Sequence, residues 1–253
     1  MESMGKKICP WFNMDRLDKI LVSQSIGSRK EVQKLIKNGS VSVNGEICKK
    51  IDIKIDAEKD IIKVCGQTIT YQKYLYIMMN KPAGVVSASN DKREKTVIDI
   101  LPEEFKRKSL FPAGRLDKDT EGLLIITDDG DFAHQMLSPK KGVYKKYIAT
   151  LDGKITKDTI KAFEEGIIFA DGTKCLPAKL EISNFDDNNI GIVTICEGKF
   201  HQVKKMFLCC GLNVVHLQRI SIGGLYLDSK LHIGECKLLT NLDKQLILMG
   251  NLH

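Results

Sequence analysis

The densest run of chemically capable side chains is Gly114-Arg115-Leu116-Asp117-Lys118-Asp119-Thr120-Glu121-Gly122, between Phe111-Pro112 and the apolar stretch Leu123-Leu124-Ile125-Ile126. Its three carboxylates and two cations could supply a nucleophile, a general base or an ion-pair network. A charged loop bounded by glycines and feeding a buried strand presents a side chain rigidly into a cleft. It does not cradle phosphate: the chain has neither G-x-x-x-x-G-K-[ST] nor G-x-G-x-x-G, and the acidic groups would repel a phosphate. Spacing alone favours an acidic turn whose Asp117, Asp119 and Glu121 pair with nearby Lys and Arg.

The elements around this loop must hold it in place. Leu75-Tyr76-Ile77-Met78-Met79 reads as a buried strand, closed by the turn Asn80-Lys81-Pro82-Ala83-Gly84 because Pro and Gly punctuate it. Further strands are expected at 123–127, 143–151, 190–196 and 214–218. Helices are expected at 131–137, at 157–165 behind a Thr156 cap, and at 202–210. The two kinds of element interleave with no fixed repeat, so the expected fold is a mixed, mainly antiparallel α+β sheet and not a doubly wound one.

With 253 residues, 43% of them hydrophobic and 28% charged, the chain has the composition of a globular protein and not of a disordered one. Its longest stretch free of Asp, Glu, Lys and Arg, 206–218, has 13 residues, against the about 20 apolar residues that span a bilayer. No secretory pattern opens the chain, so the expectation is a cytoplasmic protein with no membrane partner. Eight Cys without a C-x-x-C read as reduced, mostly buried small hydrophobes, not as a disulfide framework or a zinc site.

The charge is uneven: residues 1–74 hold 14 Lys and Arg against 9 Asp and Glu, whereas 75–253 hold 25 against 23. A basic front on a nearly neutral body suits a polyanion-binding module, although a solvated lysine-rich surface explains the charge alone more simply. Residues 1–14 read as a tail, with Met14 as a second candidate start. Leu17, Ile20 and Leu21 then mark a helical face, Ser28-Arg29-Lys30-Glu31 is a capping box ahead of Val32, Leu35 and Ile36, and Asn44-Gly45 is a hairpin turn. Two helices and a small sheet are thus expected over 15–62, a strand end and connector over 63–74, and the larger domain over 75–253. Arg29, Lys30, Lys34 and Lys37 crowd the polar side of the capped helix, with Lys49 and Lys50 after the hairpin, and phosphate is their counterpart.

Arg16-Leu17-Asp18-Lys19, Ser28-Arg29 and the run from Gly39 through Val41, Val43, Asn44 and Gly45 resemble the small RNA-binding module named after ribosomal protein S-four. That resemblance implies structured RNA as partner and adds Arg16 to the helix cations as an RNA contact. The stretch 114–124 resembles the pseudouridine synthase signature G-R-L-D-x-x-T-x-G-L-L, in the branch that carries this module in front. Asn80-Lys81-Pro82-x-Gly84, Thr127-Asp128-Asp129-Gly130, the run Glu197 to Met206, Arg219-x-x-Ile222-Gly223-Gly224 and Leu231-x-x-Gly234-Glu235-x-x-x-Leu239-Thr240 agree in order and spacing. The resemblance covers the chain from Asp15 to about Leu246.

It implies that Asp117 is the catalytic residue, that Lys204 pairs with it, that Tyr147 of the K-x-Y motif packs against the target uracil, and that Arg115 enters the space the base leaves in the RNA stack. A plain core tyrosine and a salt bridge to Asp119 or Glu121 are the alternatives for Tyr147 and Arg115. His201 reads as a structural or RNA-contacting histidine, and Lys205 as a solvated or RNA-backbone lysine. Residues 137–140 and 176–181 look most like the small-subunit rRNA members. The implied protein is a monomeric rRNA pseudouridine synthase, an isomerase acting on rRNA or an assembling ribosomal subunit. A non-catalytic RNA-binding or ribosome-assembly factor is the rival.

The chemistry follows without the name. Pseudouridine formation breaks the C1'–N1 bond, turns the uracil and rejoins it through C5, with no net oxidation. No metal or cofactor is therefore expected, only a carboxylate at the sugar and a pocket that retains the detached base. Deleting residues 15–62 is expected to weaken RNA binding and to flatten the dependence of log affinity on log salt by about 0.7 to 0.9 for each phosphate that the module neutralises. Filter binding across a salt series checks this, and an unchanged slope would place the RNA grip elsewhere.

Overall fold

The computed structural model describes residues 14–107, 109–183 and 189–249, so the tail expected over 1–14 lies outside them apart from Met14. The chain divides into two compact units between Lys73 and Tyr74. The first runs β1 (Met14–Arg16), α1 (Leu17–Ser23), α2 (Arg29–Lys37), β2 (Val41–Val43), β3 (Glu46–Ile47), β4 (Lys54–Asp56), β5 (Ile62–Val64) and β6 (Gln67–Thr68). Ser28 Oγ accepts the Glu31 amide while the Glu31 carboxylate accepts the Ser28 amide at 2.7 Å, so two of the orphan donors at the start of α2 are satisfied. Asn44 and Gly45 have φ of 52° and 90°, the left-handed pair that closes a two-residue hairpin without splaying β2 and β3.

The small sheet reaches further along the chain than expected. Its order is β3-β2-β5-β6, so residues 63–68, expected as a strand end and connector, belong to its ladder. Strands of two or three residues are too short to show a period. The unit closes over Leu17, Ile20, Leu21, Val32, Ile36, Val41, Ile55 and Ile62.

The second unit runs β7 (Tyr76–Lys81), β8 (Phe111–Ala113), β9 (Glu121–Thr127), α3 (Gly130–Leu137), β10 (Lys145–Leu151), α4 (Lys157–Glu165), β11 (Lys179–Ile182), β12 (Ile190–Ile195), α5 (Gln202–Cys209), β13 (Val214–Ile222), β14 (Leu225–Tyr226), β15 (Cys236–Leu238) and α6 (Asn241–Leu248). One sheet runs β11-β12-β10-β13-β9-β7-β15, with β14 on β13 and β8 on β9. The β13–β9 pairing is parallel and the others antiparallel, giving the mixed α+β architecture expected. Thr156 caps α4 through the Thr159 amide, as its sequence predicts.

Both faces of the central strands are covered, which explains their unbroken apolar runs. Leu124 and Ile126 of β9 face Phe163 of α4 and Val203, Met206 and Phe207 of α5. Leu123 and Ile125 face Phe132 and Met136 of α3 and Ile247 of α6. No helix among the described residues is long and apolar enough to cross a membrane. The cysteines are less buried than expected: of the seven described, all free, only Cys48 and Cys175 are buried.

Gly122, the first small residue of β9, has φ of 97°, and a Cβ there would lie 2.3 Å from the Arg219 carbonyl oxygen of β13. Neither the backbone nor the parallel pairing admits a side chain. Gly122→Ala is expected to lower unfolding free energy by about 2 to 4 kcal/mol. Gly130→Ala, with no atom within 4 Å of the added carbon, is the control. Urea unfolding followed by circular dichroism reads both, and equal midpoints would contradict the account.

Candidate active site

The loop 114–120 precedes β9 and is clamped from beneath by backbone contacts. Arg219, 2% exposed on β13, donates through Nη2 to the Gly114 carbonyl and through Nε to the Leu123 carbonyl, both at 2.8 Å. Lys81, fully buried at the end of β7, donates to the carbonyls of Pro82, Lys118 and Thr120 at 3.0, 3.2 and 2.9 Å. The Gly84 amide reaches the Lys118 carbonyl at 2.8 Å, and the buried Ser87 hydroxyl exchanges hydrogen bonds with the Leu116 amide and carbonyl. Sequence reasoning gave none of these residues a role. The N-K-P-x-G and R-x-x-I-G-G blocks were the signal, and both prove to be the scaffold of the charged loop.

Asp117 emerges from this clamp into a small, half-open cleft that Leu116, Gln202, Val203 and Lys204 also line. Tyr147 lines the same cleft and is 8% exposed, on the inward face of β10 that it shares with Ala149 and Leu151. A register shift between β10 and β13 falls beside it, where Tyr147 pairs with Arg219; such irregularities re-aim side chains next to reactive sites. The two interact: Arg219 Nη1 lies 3.5 Å from the Tyr147 hydroxyl and its guanidinium carbon 6.0 Å from the ring centre.

Lys204 Nζ stands 3.5 Å from Asp117 Oδ2, as the expected pairing requires, but 2.5 Å from Asp119 Oδ1. Lys204 thus bridges two carboxylates and hydrogen-bonds the outer one, holding Asp119 below the usual carboxylate range. His201 Nε2 lies 3.5 Å from Asp117 Oδ1, so a histidine read as structural or RNA-contacting stands against the central carboxylate. Its place in the same block as Lys204 was the only sequence signal. Arg115 is exposed at the lip of the cleft and has no ion pair among the described residues. The carboxylates offered as its alternative partners are taken, Asp119 by Lys204 and Glu121 by His216 at 2.8 Å.

In the first unit, Lys30, Lys34 and Lys37 line one shallow open surface of α2. Arg16 instead forks onto the buried Asp18 carboxylate at 3.0 and 2.9 Å, and Arg29 approaches Asp18 at 4.0 Å. Only part of the expected cationic set is therefore uncommitted.

Residues 75–208 match the RNA pseudouridylate synthase family and residues 15–62 the S4 domain. The chain is 45% identical to an uncharacterized RNA pseudouridine synthase, YtzG, of Bacillus subtilis, over 92% of this chain and 98% of the relative. It is 39% identical to ribosomal small subunit pseudouridine synthase A of Vibrio vulnificus, over 89% and 96% of the two chains. It is 36% identical to ribosomal large subunit pseudouridine synthase B of Bacillus subtilis, over 90% and 93%. A crystal structure of a pseudouridylate synthase superposes with a TM-score of 0.63 at 35% identity, over 92% of this chain and 99% of that one.

Burial pulls the Lys81 ammonium down to about 8 from an ordinary 10.5, against the opposing pull of Asp119, Glu121 and Asp117. Between those pH values the unfolded chain carries a proton that folded Lys81 has released, so this group adds stability as pH rises from about 8 toward 10.5 and adds no pH dependence below 8. Lys145, also drawn down to about 8 by burial, contributes the same trend and is common to wild type and a Lys81→Met variant. Wild type is expected to gain on the order of 1 to 3 kcal/mol over that variant across this window. Urea midpoints at pH 7.5 and about 10 read the difference, and parallel stabilities at both pH values would refute it.

Proposed function

The chain belongs to the RNA pseudouridylate synthase family, and on that premise we propose that Asp117 isomerises one uridine of rRNA, held in the cleft between Tyr147 and Lys204. The observation that carries the reading is the Asp117 carboxylate. It opens into the cleft with cations no nearer than 3.5 Å, while neighbouring Asp119 takes the close hydrogen bond from Lys204. A carboxylate left in this state keeps its lone pairs for the sugar.

The extruded uridine enters with its base against the Tyr147 ring, and Arg115 occupies the gap left in the RNA stack. Asp117 acts at the sugar as nucleophile or base while the C1'–N1 bond breaks. The retained uracil turns, C5 bonds to C1', and the hydrogen leaving C5 is balanced by one gained at N1. Electrons and atoms balance within the nucleotide, so the step calls for no redox partner. Lys204 offsets the negative charge at Asp117, and with His201 on the other oxygen it holds the carboxylate's rotamer, at distances too long to quench it.

The substrate is small-subunit rRNA, free or in an assembling subunit, met in the cytoplasm by a monomer whose S4 domain supplies Lys30, Lys34 and Lys37 to the RNA backbone, with Arg29 beside them and Arg16 joining only on release from Asp18. Support comes from the resemblance at 137–140 and 176–181 and from relatives named for both ribosomal subunits, the small-subunit one slightly more similar. Carbodiimide mapping of both rRNAs, with and without the protein, tests this assignment. A new stop only in large-subunit rRNA would overturn it.

Asp117→Asn preserves size and polarity but removes the ionisable carboxylate. Tritium release from C5-labelled uridine in RNA is expected to fall by at least about a thousandfold, while RNA binding stays within about twofold of wild type. A variant with near wild-type turnover would rule out the carboxylate mechanism.

A further inference from the structure

Apart from Arg115, Asp117 and His201, the residues of the cleft's outer lip have no role in the proposed steps. β12 ends in a turn whose centre is Glu197, 6% exposed. Its carboxylate accepts the Leu176 amide at 2.9 Å and the Gln202 side chain at 2.7 Å, and it pairs with the Lys199 ammonium. The Gln202 side-chain oxygen in turn accepts the Lys199 amide at 2.9 Å. This closed network sets the path of 197–202 and leaves His201 at φ of 52°, a conformation that disfavours a residue with a side chain.

That backbone stacks the Phe200 and His201 rings at 3.8 Å between centres and 21° between planes, with Phe200 73% exposed. Phe200 belongs to none of the apolar cores among the described residues. A structure that imposes local strain to hold an apolar ring in water does not do so for packing. The ring lies where a ligand of the cleft would pass, since Arg115, Asp117, Phe200 and His201 line its continuous outer part. A cation completes the set: Lys205 Nζ stands 5.2 Å from the Phe200 ring centre. An exposed apolar ring covered by an ammonium on a flexible stem matches one nucleotide, base on ring and phosphate on cation once Lys205 swings aside.

We propose that Phe200, backed by His201, is the stacking platform for one unpaired base adjacent to the target uridine, with Lys205 meeting the phosphate of that nucleotide. The proposal rests on the reading of the Asp117 cleft as the site of pseudouridine formation. Extruding a uridine breaks stacking on both sides of it, and a neighbouring base captured on Phe200 recovers part of that loss where the target is drawn toward Asp117. Flanking sequence would then be read by stacking strength and by freedom from pairing, not by hydrogen bonds.

The test uses the full-length protein and total rRNA from cells lacking it, with pseudouridine measured by carbodiimide primer extension. Phe200→Leu keeps bulk but not the π-face, and is expected to lower kcat/KM about five- to a hundredfold, the span of one base–aromatic stack. Phe200→Trp is expected to stay within about twofold of wild type. Synthetic RNA spanning the modified uridine, with an abasic ribose at either neighbour, then locates the base. At one of the two positions wild type should lose the same factor, and Phe200→Leu should cause no further loss. Wild-type kcat/KM for Phe200→Leu, or a Leu defect that persists on both abasic RNAs, would overturn the platform. Absence of pseudouridine with wild type would instead overturn the reading of the cleft, and the platform with it.

Discussion

The site depends on two buried cations that bind backbone carbonyls instead of carboxylates. Arg219 holds Gly114 and Leu123, and Lys81 holds Pro82, Lys118 and Thr120, so the loop carrying Asp117 is fixed at both ends and along its base through its main chain. A charge taken out of water needs partners that satisfy its hydrogens, and carbonyls do so without adding an opposite formal charge. The arrangement also leaves the loop side chains out of the clamp. Arg115, Asp117 and Asp119 can project outward because nothing in the anchoring uses them.

Division of labour between the two aspartates follows from distance. One ammonium, Lys204, faces both, and at 2.5 Å against 3.5 Å it hydrogen-bonds Asp119 while supplying Asp117 with field only. Attraction falls slowly with separation whereas a hydrogen bond is lost within a few tenths of an ångström. Asp117 thus keeps the electrostatic benefit of a cation without having its oxygens occupied. His201 stands 3.5 Å from the other oxygen, so the Asp117 carboxylate is flanked by two nitrogen-bearing side chains that stop short of hydrogen-bonding it.

The sequence was legible where local chemistry decides structure. Ser28 and Thr156 caps, the Asn44-Gly45 turn and the double-sided apolar run of β9 were each readable from a few adjacent residues, and each stands where it was placed. It was silent where distant segments decide. β15 exists because Cys236, Lys237 and Leu238 find Met79, Met78 and Ile77 about 160 residues earlier, and three residues carry no period. The roles of Lys81 and Arg219 were equally hidden, because a lysine or arginine is polar on any hydropathy pattern, and burial depends on carbonyls that the fold alone brings near. The meeting of Asp117, Tyr147 and Lys204 in one cleft was anticipated through motif resemblance, not through spacing, which favoured an acidic turn.

Rigidity and openness are divided along the cleft according to what each part must do. Its floor is built from elements that cannot shift alone: Tyr147 on a strand paired on both sides, and Asp117 on a loop tied to β7 and β13. A bond-breaking step loses rate with small misplacements, so a floor of this rigidity suits the role proposed for Asp117. Its lip is exposed, with Arg115 free of ion pairs among the described residues and Phe200 facing water. RNA must be bent or unstacked before a uridine can reach the floor, and the energy for that distortion has to come from contacts formed only once it has occurred. Long or flat side chains held out of ion pairs and apolar cores in the free protein can supply it, because in the absence of RNA they have little to give up.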